Sequence, residues 1–281
     1  MVNRMESFPR RVEKSGKELK ETFYASTFKK MTERVRESGS EDVFSDVMEK
    51  YLETLNIKPV YEQELGQNPD LPEMRERLNS ESGIIISNHP GYFDSLVILH
   101  LIRRKNIKVL VSQRTFPVIS KILGPENFIE ASHDPVQLKK QLREIKRHIE
   151  SGGVLLIYPT GGADAIDSSR KDSELEFKSG FRFMVEGILR PEDMVYSFWV
   201  EPDDVADVLD EKIHRTIGTA SDVVVGTKAN VNKLKGTKSI RVNESYSKAG
   251  EWQEIVQGSE SRDEADRALT EHYLDQFKRQ K

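Results

Sequence analysis

Cysteine is absent from the 281 residues of the sequence. Its absence excludes disulfide bonds, zinc sites built on thiolates and a cysteine nucleophile. Long apolar runs are absent too, because runs such as residues 84–86 and 154–158 fall far short of the roughly 20 residues that a membrane-spanning helix needs. The first residues, MVNRMESFPRR, contain no apolar segment of the signal-peptide kind. We therefore expect a cytoplasmic protein, either soluble or attached peripherally to the inner face of the membrane.

A basic excess is also missing, since the formal net charge is -4. Nucleic-acid-binding domains usually carry a strong positive excess that neutralises phosphates, so we expect no nucleic-acid partner. The charge is uneven along the chain: residues 1–36 are basic and residues 201–211 are acidic. A basic amphipathic helix can lie on anionic lipid, and a solvated helix face accounts for the same pattern. Transient contact with a membrane surface is therefore one of two alternatives.

Three familiar kinds of site have no counterpart in the sequence. A Gly-x-Ser-x-Gly nucleophile elbow and a glycine-rich phosphate loop are both missing, which argues against a serine hydrolase and a nucleotide-binding protein. Asp203, Asp204 and Asp207 do not have the spacing of metal ligands, so no metal is predicted. With 36% hydrophobic and 32% charged residues, the chain is expected to fold around one substantial core.

The first part of the chain has a helical pattern. Between residues 10 and 80, apolar side chains recur at three- and four-residue intervals among charged ones. Asn68, Pro69, Asp70 and Pro72 interrupt that pattern. We predict a helical N-terminal subdomain at residues 1–80, followed by a domain of different architecture at residues 81–281.

From residue 81 onward, short β-rich segments alternate with helical ones. Strands are expected at GIIIS, IKVLVS, NFIEAS, GVLLIYP and MVYSFWVEP, and later at DVVVG and SIRVNES. Helices are expected between them, one of them opened by Asp134 and Pro135, and a last one at about 261–278. This alternation predicts an α/β fold, with a mostly parallel mixed sheet flanked by helices.

The segment Ser87-Asn88-His89-Pro90-Gly91-Tyr92-Phe93-Asp94 follows the first strong strand and leads into a helix. Reactive loops of α/β sheets lie at the carboxyl ends of the strands, where this turn falls. A histidine within reach of a carboxylate can act as a general base, because the carboxylate fixes its tautomer and stabilises the imidazolium. His89 and Asp94 are therefore the candidate catalytic pair. The alternative is that His89 only caps the turn and Asp94 only stabilises the start of the helix.

These residues resemble the His-four-residues-Asp signature of the glycerolipid acyltransferase superfamily, which includes glycerol-3-phosphate and 1-acylglycerol-3-phosphate acyltransferases. Further blocks of the family follow in order over residues 81–202. They are VLVSQRTFPVISKILGPENFIEAS, LLIYPTGG, the Phe-Lys-x-Gly element at Phe177-Lys178-Ser179-Gly180, and FWVEP. Pro-Thr-Gly-Gly is nearest to the Pro-Ser-Gly-Gly of the soluble, plastid-type glycerol-3-phosphate acyltransferases.

The resemblance assigns substrate-binding roles to Pro159, Thr160, Gly161 and Gly162. Glycines at such a position allow a backbone to approach a ligand closely or to take a positive φ. Their N–H groups are candidates for binding a phosphate or the oxyanion of a tetrahedral intermediate, although a plain strand-ending turn is the alternative.

The chain departs from the family where phosphate is bound. Arginines of the family's second and third blocks are replaced by Ala131, Ala163 and Ala165. Either the phosphate is held by other residues, or the acceptor is not a simple glycerol phosphate. The candidate replacements are Arg114, His133, Arg170, Lys171 and Lys178, of which Arg114 and Lys178 are the strongest.

The resemblance implies transfer of a fatty acyl group from acyl carrier protein or acyl-coenzyme A to a hydroxyl of glycerol 3-phosphate or a related lipid precursor. His89 would be the general base, with Asp94 as its support, and no cofactor beyond the acyl thioester is needed. An acidic carrier protein needs a basic docking face, for which residues 135–149 are the candidate with five lysines and arginines, although a solvated helix face accounts for the same charges. The alternatives are an acyltransferase for an unphosphorylated acceptor, and a catalytically silent protein of the same fold that binds acyl lipids or the carrier.

Overall fold

The structure is a computed structural model, in which the described residues form one seven-stranded sheet with helices on both faces. It describes residues 30–39, 43–61, 71–90, 94–102, 104–113, 115–132, 134–161, 175–202, 204 and 237–278. Residues 30–37 are helical. The helices that follow are α1 (Val43–Leu55), α2 (Leu71–Ser80), α3 (Asp94–Leu101), α4 (Phe116–Leu123), α5 (Pro135–Glu150), α6 (Ser179–Gly187), α7 (Ala249–Gly258) and α8 (Arg262–Lys278).

The strands are β1 (Ile57–Tyr61), β2 (Gly83–Ser87), β3 (Ile107–Ser112), β4 (Phe128–Ala131), β5 (Val154–Ile157), β6 (Met194–Val200) and β7 (Lys238–Lys248). Their order in the sheet is β1-β7-β6-β2-β5-β3-β4. The five strands from β6 to β4 are parallel to one another, and β7 joins them antiparallel to β6. The predicted α/β fold with a mostly parallel mixed sheet is confirmed.

The central strands are short and apolar because they are covered on both faces. All five residues of β2 and all four of β5 are buried. Alternate residues of a strand point to opposite faces. Ile85 accordingly packs into the core beneath α1 and α3, while Ile84 and Ile86 pack into the core beneath α5, α6, α7 and α8. Two apolar layers thus hold β2 and β5 in register as the rigid base of the loops that follow them.

Helix α5 begins as its sequence predicts. The Asp134 carboxylate accepts hydrogen bonds from the backbone N–H groups of Val136 (3.0 Å) and Gln137 (2.9 Å). Pro135 occupies the first helical position, where a missing N–H has no cost.

The helical prediction for residues 10–80 is wrong at Ile57–Tyr61, which form strand β1 and pair in parallel with β7. A hydroxyl on α1 also donates across the core, from Ser45 to the carbonyl of Ile102 (2.9 Å). The described residues of this region therefore share a core with the rest of the sheet. The division at residue 80 stays a prediction, and the predicted strand DVVVG lies outside the described residues.

Candidate active site

Three loops leave the sheet at neighbouring positions. Strand β2 lies between β5 and β6 and is parallel to both, with Ile86 opposite Ile157 and Ser87 opposite Phe198. Parallel strands end at the same edge of a sheet. The residues after β2, β5 and β6 therefore lie side by side at the carboxyl edge, where α/β proteins place their reactive groups.

Asn88 anchors the first of these loops. Its side-chain amide donates to the carbonyl of Val200 (2.8 Å), and its side-chain oxygen accepts from the N–H of Val200 (2.8 Å). Its backbone N–H donates to the phenol oxygen of Tyr273 (2.8 Å), which itself donates to the carbonyl of Phe198 (2.5 Å). Every one of these groups is buried, so the backbone position immediately before His89 is tightly defined.

The side chains of His89 and Asp94 form a hydrogen-bonded pair. The distance from Nδ1 of His89 to Oδ2 of Asp94 is 2.5 Å. Asp94 is fully buried, whereas the side chain of His89 is 27% exposed. A proton on Nδ1 donates to the carboxylate and leaves the lone pair of the neutral imidazole on Nε2. The pair therefore has the arrangement of a general base with a supporting carboxylate.

The second carboxylate oxygen of Asp94 is held by Ser95 and Tyr158. The backbone N–H of Ser95 donates to Oδ1 of Asp94 (2.5 Å). The hydroxyls of Ser95 and Tyr158 each lie 3.3 Å from the same oxygen, and 2.5 Å from each other. Asp94 is also the first residue of α3, so its carboxylate lies at the positive end of the helix dipole.

Tyr158 also stacks on the imidazole of His89. The ring centroids are 4.2 Å apart, with an angle of 23° between the planes. Burial raises the pKa of the Tyr158 phenol well above its ordinary value, and the negative charge of Asp94 raises it further. Tyr158 is therefore a protonated hydrogen-bond donor at neutral pH, and it links β5 to the His89 loop.

The loop Pro159-Thr160-Gly161 continues directly from Tyr158. Gly161 has φ +75°, a conformation that favours glycine. Its N–H donates to the carbonyl of Tyr158 (3.0 Å) inside the same turn. The oxyanion role expected of the Gly161 N–H is thus not available in this conformation, since that group is already bonded within its own loop.

Lys178 is joined to this loop by its backbone. Its N–H donates to the carbonyl of Pro159 (2.8 Å), and its Cγ atom lies where a side chain on Gly161 would touch it. The ammonium group is 3.8 Å from the carboxylate of Glu176, and the side chain is 62% exposed. Lys178 therefore reaches the Pro159–Gly161 loop, with an ammonium group that remains in water.

The other predicted binding residues lie outside the described residues. They are Arg114, His133, Gly162, Arg170 and Lys171. The alanines at 163 and 165 lie in the same undescribed range, whereas Ala131 ends strand β4.

Three side chains of the site were not predicted from the sequence. The position of Tyr158 could have indicated a role in the site, because it directly precedes the Pro-Thr-Gly-Gly turn. The position of Ser95, directly after the candidate aspartate, was a weaker indication. Nothing in the local sequence indicated Tyr273, since it lies 185 positions from Asn88, the residue that it supports.

Within the described ranges, no group of three or more histidines and carboxylates is arranged to hold a metal ion. No helix in the same ranges is long and apolar enough to cross a membrane. A cavity of about 420 Å³ lies at the opposite edge of the sheet, where β6 begins and β7 ends. Its lining includes Arg77, Met194 and Lys248, and it is separate from the His89 site.

Comparison with known proteins finds a family model and a solved structure that are similar to this chain. Residues 70–200 match the model of the family described as Acyltransferase. A crystal structure of the 1-acyl-sn-glycerophosphate (LPA) acyltransferase PlsC from Thermotoga maritima is similar at 14% identity, with 92% of this chain and 86% of that chain covered and a TM-score of 0.45. No curated protein matches the sequence. The matched residues, somewhat less than half of the chain, include both His89 and Asp94, so this part of the chain is similar to acyltransferases.

Proposed function

We propose that the chain transfers a fatty acyl group from a thioester to the hydroxyl of a glycerol phosphate or a lysophospholipid, with His89 as the general base. The observation that carries this proposal is the His89–Asp94 pair, 2.5 Å apart at the carboxyl edge of the sheet and inside the acyltransferase-family region. A phospholipid-biosynthetic role follows from the resemblance of the sequence blocks. The similarity of this chain to the soluble, plastid-type enzymes belongs to the same proposal. It rests on the sequence Pro159, Thr160, Gly161 and Gly162.

In the proposed reaction, the acceptor hydroxyl donates its proton to Nε2 of His89 as its oxygen attacks the thioester carbonyl carbon. The new C–O bond gives a tetrahedral intermediate whose oxyanion needs hydrogen-bond donors, which we expect from the backbone that follows Gly161. Asp94 stabilises the imidazolium. Collapse of the intermediate breaks the C–S bond, and His89 returns the proton to the departing thiolate, so the products are an ester and a free thiol.

The donor is acyl carrier protein or acyl-coenzyme A, and the surface of α5 favours the carrier protein. Five basic side chains of this helix are exposed: Lys139, Lys140, Arg143, Lys146 and Arg147. An acidic carrier protein would be attracted to such a face. Reversal of two charges by Lys139→Glu with Lys140→Glu should raise the KM for an acyl carrier protein donor and leave the KM for acyl-coenzyme A unchanged.

The test of the activity is a matrix of donors and acceptors. Purified protein is incubated with labelled acyl-coenzyme A or acyl carrier protein, and with glycerol 3-phosphate, lysophosphatidate or an unphosphorylated alcohol. We expect a labelled ester with a phosphorylated acceptor, and none from a His89→Ala variant. A protein that binds the thioester and acylates no acceptor would instead be the catalytically silent alternative.

A further inference from the structure

Two hydroxyl groups lie behind the carboxylate of Asp94, on the side away from His89. Tyr158 Oη and Ser95 Oγ are 2.5 Å apart, and each is 3.3 Å from Oδ1 of Asp94. Two hydroxyls carry two protons, so one of them can donate to the carboxylate while the other donates to its neighbour. Whichever hydroxyl does so, Asp94 receives a second donor besides the backbone N–H of Ser95.

Tyr158 contacts both members of the pair. Its ring lies 4.2 Å from the imidazole of His89, and its hydroxyl lies beside Asp94. The tyrosine itself is fixed from behind, because it follows β5 directly and its carbonyl accepts the N–H of Gly161 (3.0 Å). A rigid strand thus sets the orientation of both catalytic groups through one residue.

We propose that Tyr158, together with Ser95, is the positioning residue of the acyltransferase site, which holds the Asp94 carboxylate so that Oδ2 faces His89 and holds the imidazole plane by stacking. The inference rests on the proposed function of His89 as the general base. Tyr158 takes no part in the proton transfer itself, because its phenol stays protonated in this environment.

The hydroxyl pair has a predictable electrostatic effect. Hydrogen bonds to Oδ1 draw negative charge away from the oxygen that faces His89. Without them, the carboxylate attracts the imidazolium more strongly, and a higher pH is needed before His89 can accept a proton. Besides His89 itself, the titratable groups that act on Tyr158 include Asp94 on α3 and Tyr273 on α8.

The test compares Tyr158→Phe, Ser95→Ala and the double variant. Tyr158→Phe keeps the stacked ring and removes only the hydroxyl. We expect kcat to fall about tenfold, as for a lost hydrogen bond to a charged group, with the KM for the thioester unchanged. The acidic limb of the kcat/KM profile should move to higher pH. The double variant should lose more than either single variant, because the hydroxyl that remains in each single variant can still donate to Asp94.

A matched control is Tyr61→Phe. The Tyr61 hydroxyl is buried and donates to the carbonyl of Val97 (2.8 Å) on α3, the same helix that carries Asp94. Its removal should lower the melting temperature and leave the pH profile in place. A structural role for Tyr158 would give that same result, whereas a positioning role moves the pH profile.

The outcomes separate this inference from the proposed function. If His89→Ala keeps wild-type turnover, the general base is wrong and the positioning role falls with it. If His89→Ala is inactive while Tyr158→Phe and Ser95→Ala keep the wild-type kcat and pH profile, only the positioning role is overturned. Ser95→Ala carries the test alone should Tyr158→Phe fail to fold.

Discussion

The side-chain amide of Asn88 pairs with the backbone of Val200 through two hydrogen bonds of 2.8 Å. The pairing continues the ladder between β2 and β6 beyond the last paired residues, Ser87 and Phe198. The Asn88 side chain makes the two hydrogen bonds that a further strand residue would make with its backbone. The backbone at residue 88 can therefore leave the strand and form the turn that carries His89. The buried Asn88 amide therefore joins the sheet to the loop that carries the candidate general base.

Asn88→Ala should destabilise the protein by about 1–3 kcal/mol, because the buried N–H and C=O of Val200 would each lose a partner. Turnover should fall as well, since His89 follows directly. Urea unfolding and steady-state kinetics measure the two effects. The exposed Asn79, which bonds a carbonyl of its own helix α2, supplies the control Asn79→Ala. Equal stability losses in the two variants would contradict the anchoring role.

His89→Ala should lower kcat by ~10²-fold or more, the usual contribution of a general base. The imidazole is partly exposed and not part of the core, so the fold should persist. Asp94→Asn should cost similar turnover or somewhat less, because it keeps the shape of the side chain and loses its charge. Circular dichroism of both variants checks the fold. Wild-type turnover of purified His89→Ala would contradict the proposed mechanism.

Local sequence predicts where His89 and Asp94 lie, because the elements that place them are close together in the chain. An apolar strand, a turn and a helix of a few residues each are sufficient to place His89 and Asp94 at the carboxyl edge. The support from Tyr273 depends instead on how α8 packs against the sheet, 185 residues further along the chain. Only the packed fold brings such groups together.

Strand β1 shows the opposite case. Its sequence, IKPVY, follows a helix directly and includes Pro59, which cannot donate to a sheet ladder. The strand is possible because β1 lies at the edge of the sheet, where it pairs only with β7 and Pro59 lies opposite Ile240. That pairing joins residues about 180 positions apart, so helical periodicity on the N-terminal side concealed it.

Gly83→Ala should destabilise the protein strongly. A Cβ atom at Gly83 would lie 2.0 Å from the carbonyl oxygen of Met194 on the neighbouring strand. Backbone cannot move as a flexible side chain does, so we expect at least the ~1–3 kcal/mol typical of overpacking. Gly187→Ala, with nothing within 4 Å of the added atom, is the matched control. Chemical denaturation of both variants tests this, and equal midpoints would contradict it.

Asp193 should make the stability dependent on acidic pH. Burial alone would raise the pKa of its carboxyl, but hydrogen bonds from Arg190 and Ser82 outweigh burial and lower the pKa below its ordinary value. A depressed folded-state pKa gives stability that is present above the unfolded value of about 4 and is lost as the pH falls through the folded value.

Asp193→Asn should therefore lower the free energy of unfolding at neutral pH, and its difference from the wild type should shrink below about pH 4. Urea unfolding at a series of pH values measures the difference. Glu76→Gln, at an exposed position on α2, serves as the control for a surface carboxylate. If the difference in free energy of unfolding between wild type and Asp193→Asn stays constant with pH, the variant has lost packing and not a charge interaction.

Lys178→Met should reveal how the acceptor is recognised. The family's arginines are missing at positions 131, 163 and 165, and Lys178 is bonded to Pro159 and runs beside Gly161. If its ammonium binds the acceptor phosphate, the loss should be ~1.5–3 kcal/mol, as for a charged hydrogen bond.

That loss should appear as a higher KM for glycerol 3-phosphate or lysophosphatidate, while an unphosphorylated acceptor should react as before. Met keeps most of the apolar stem that passes Gly161, so the loop should hold its shape. Lys105→Met, at the amino-terminal edge of β3 and away from the site, controls for loss of a surface charge. Unchanged acceptor kinetics in Lys178→Met would favour an acceptor without phosphate, because the Lys178 ammonium group would then have no part in binding it.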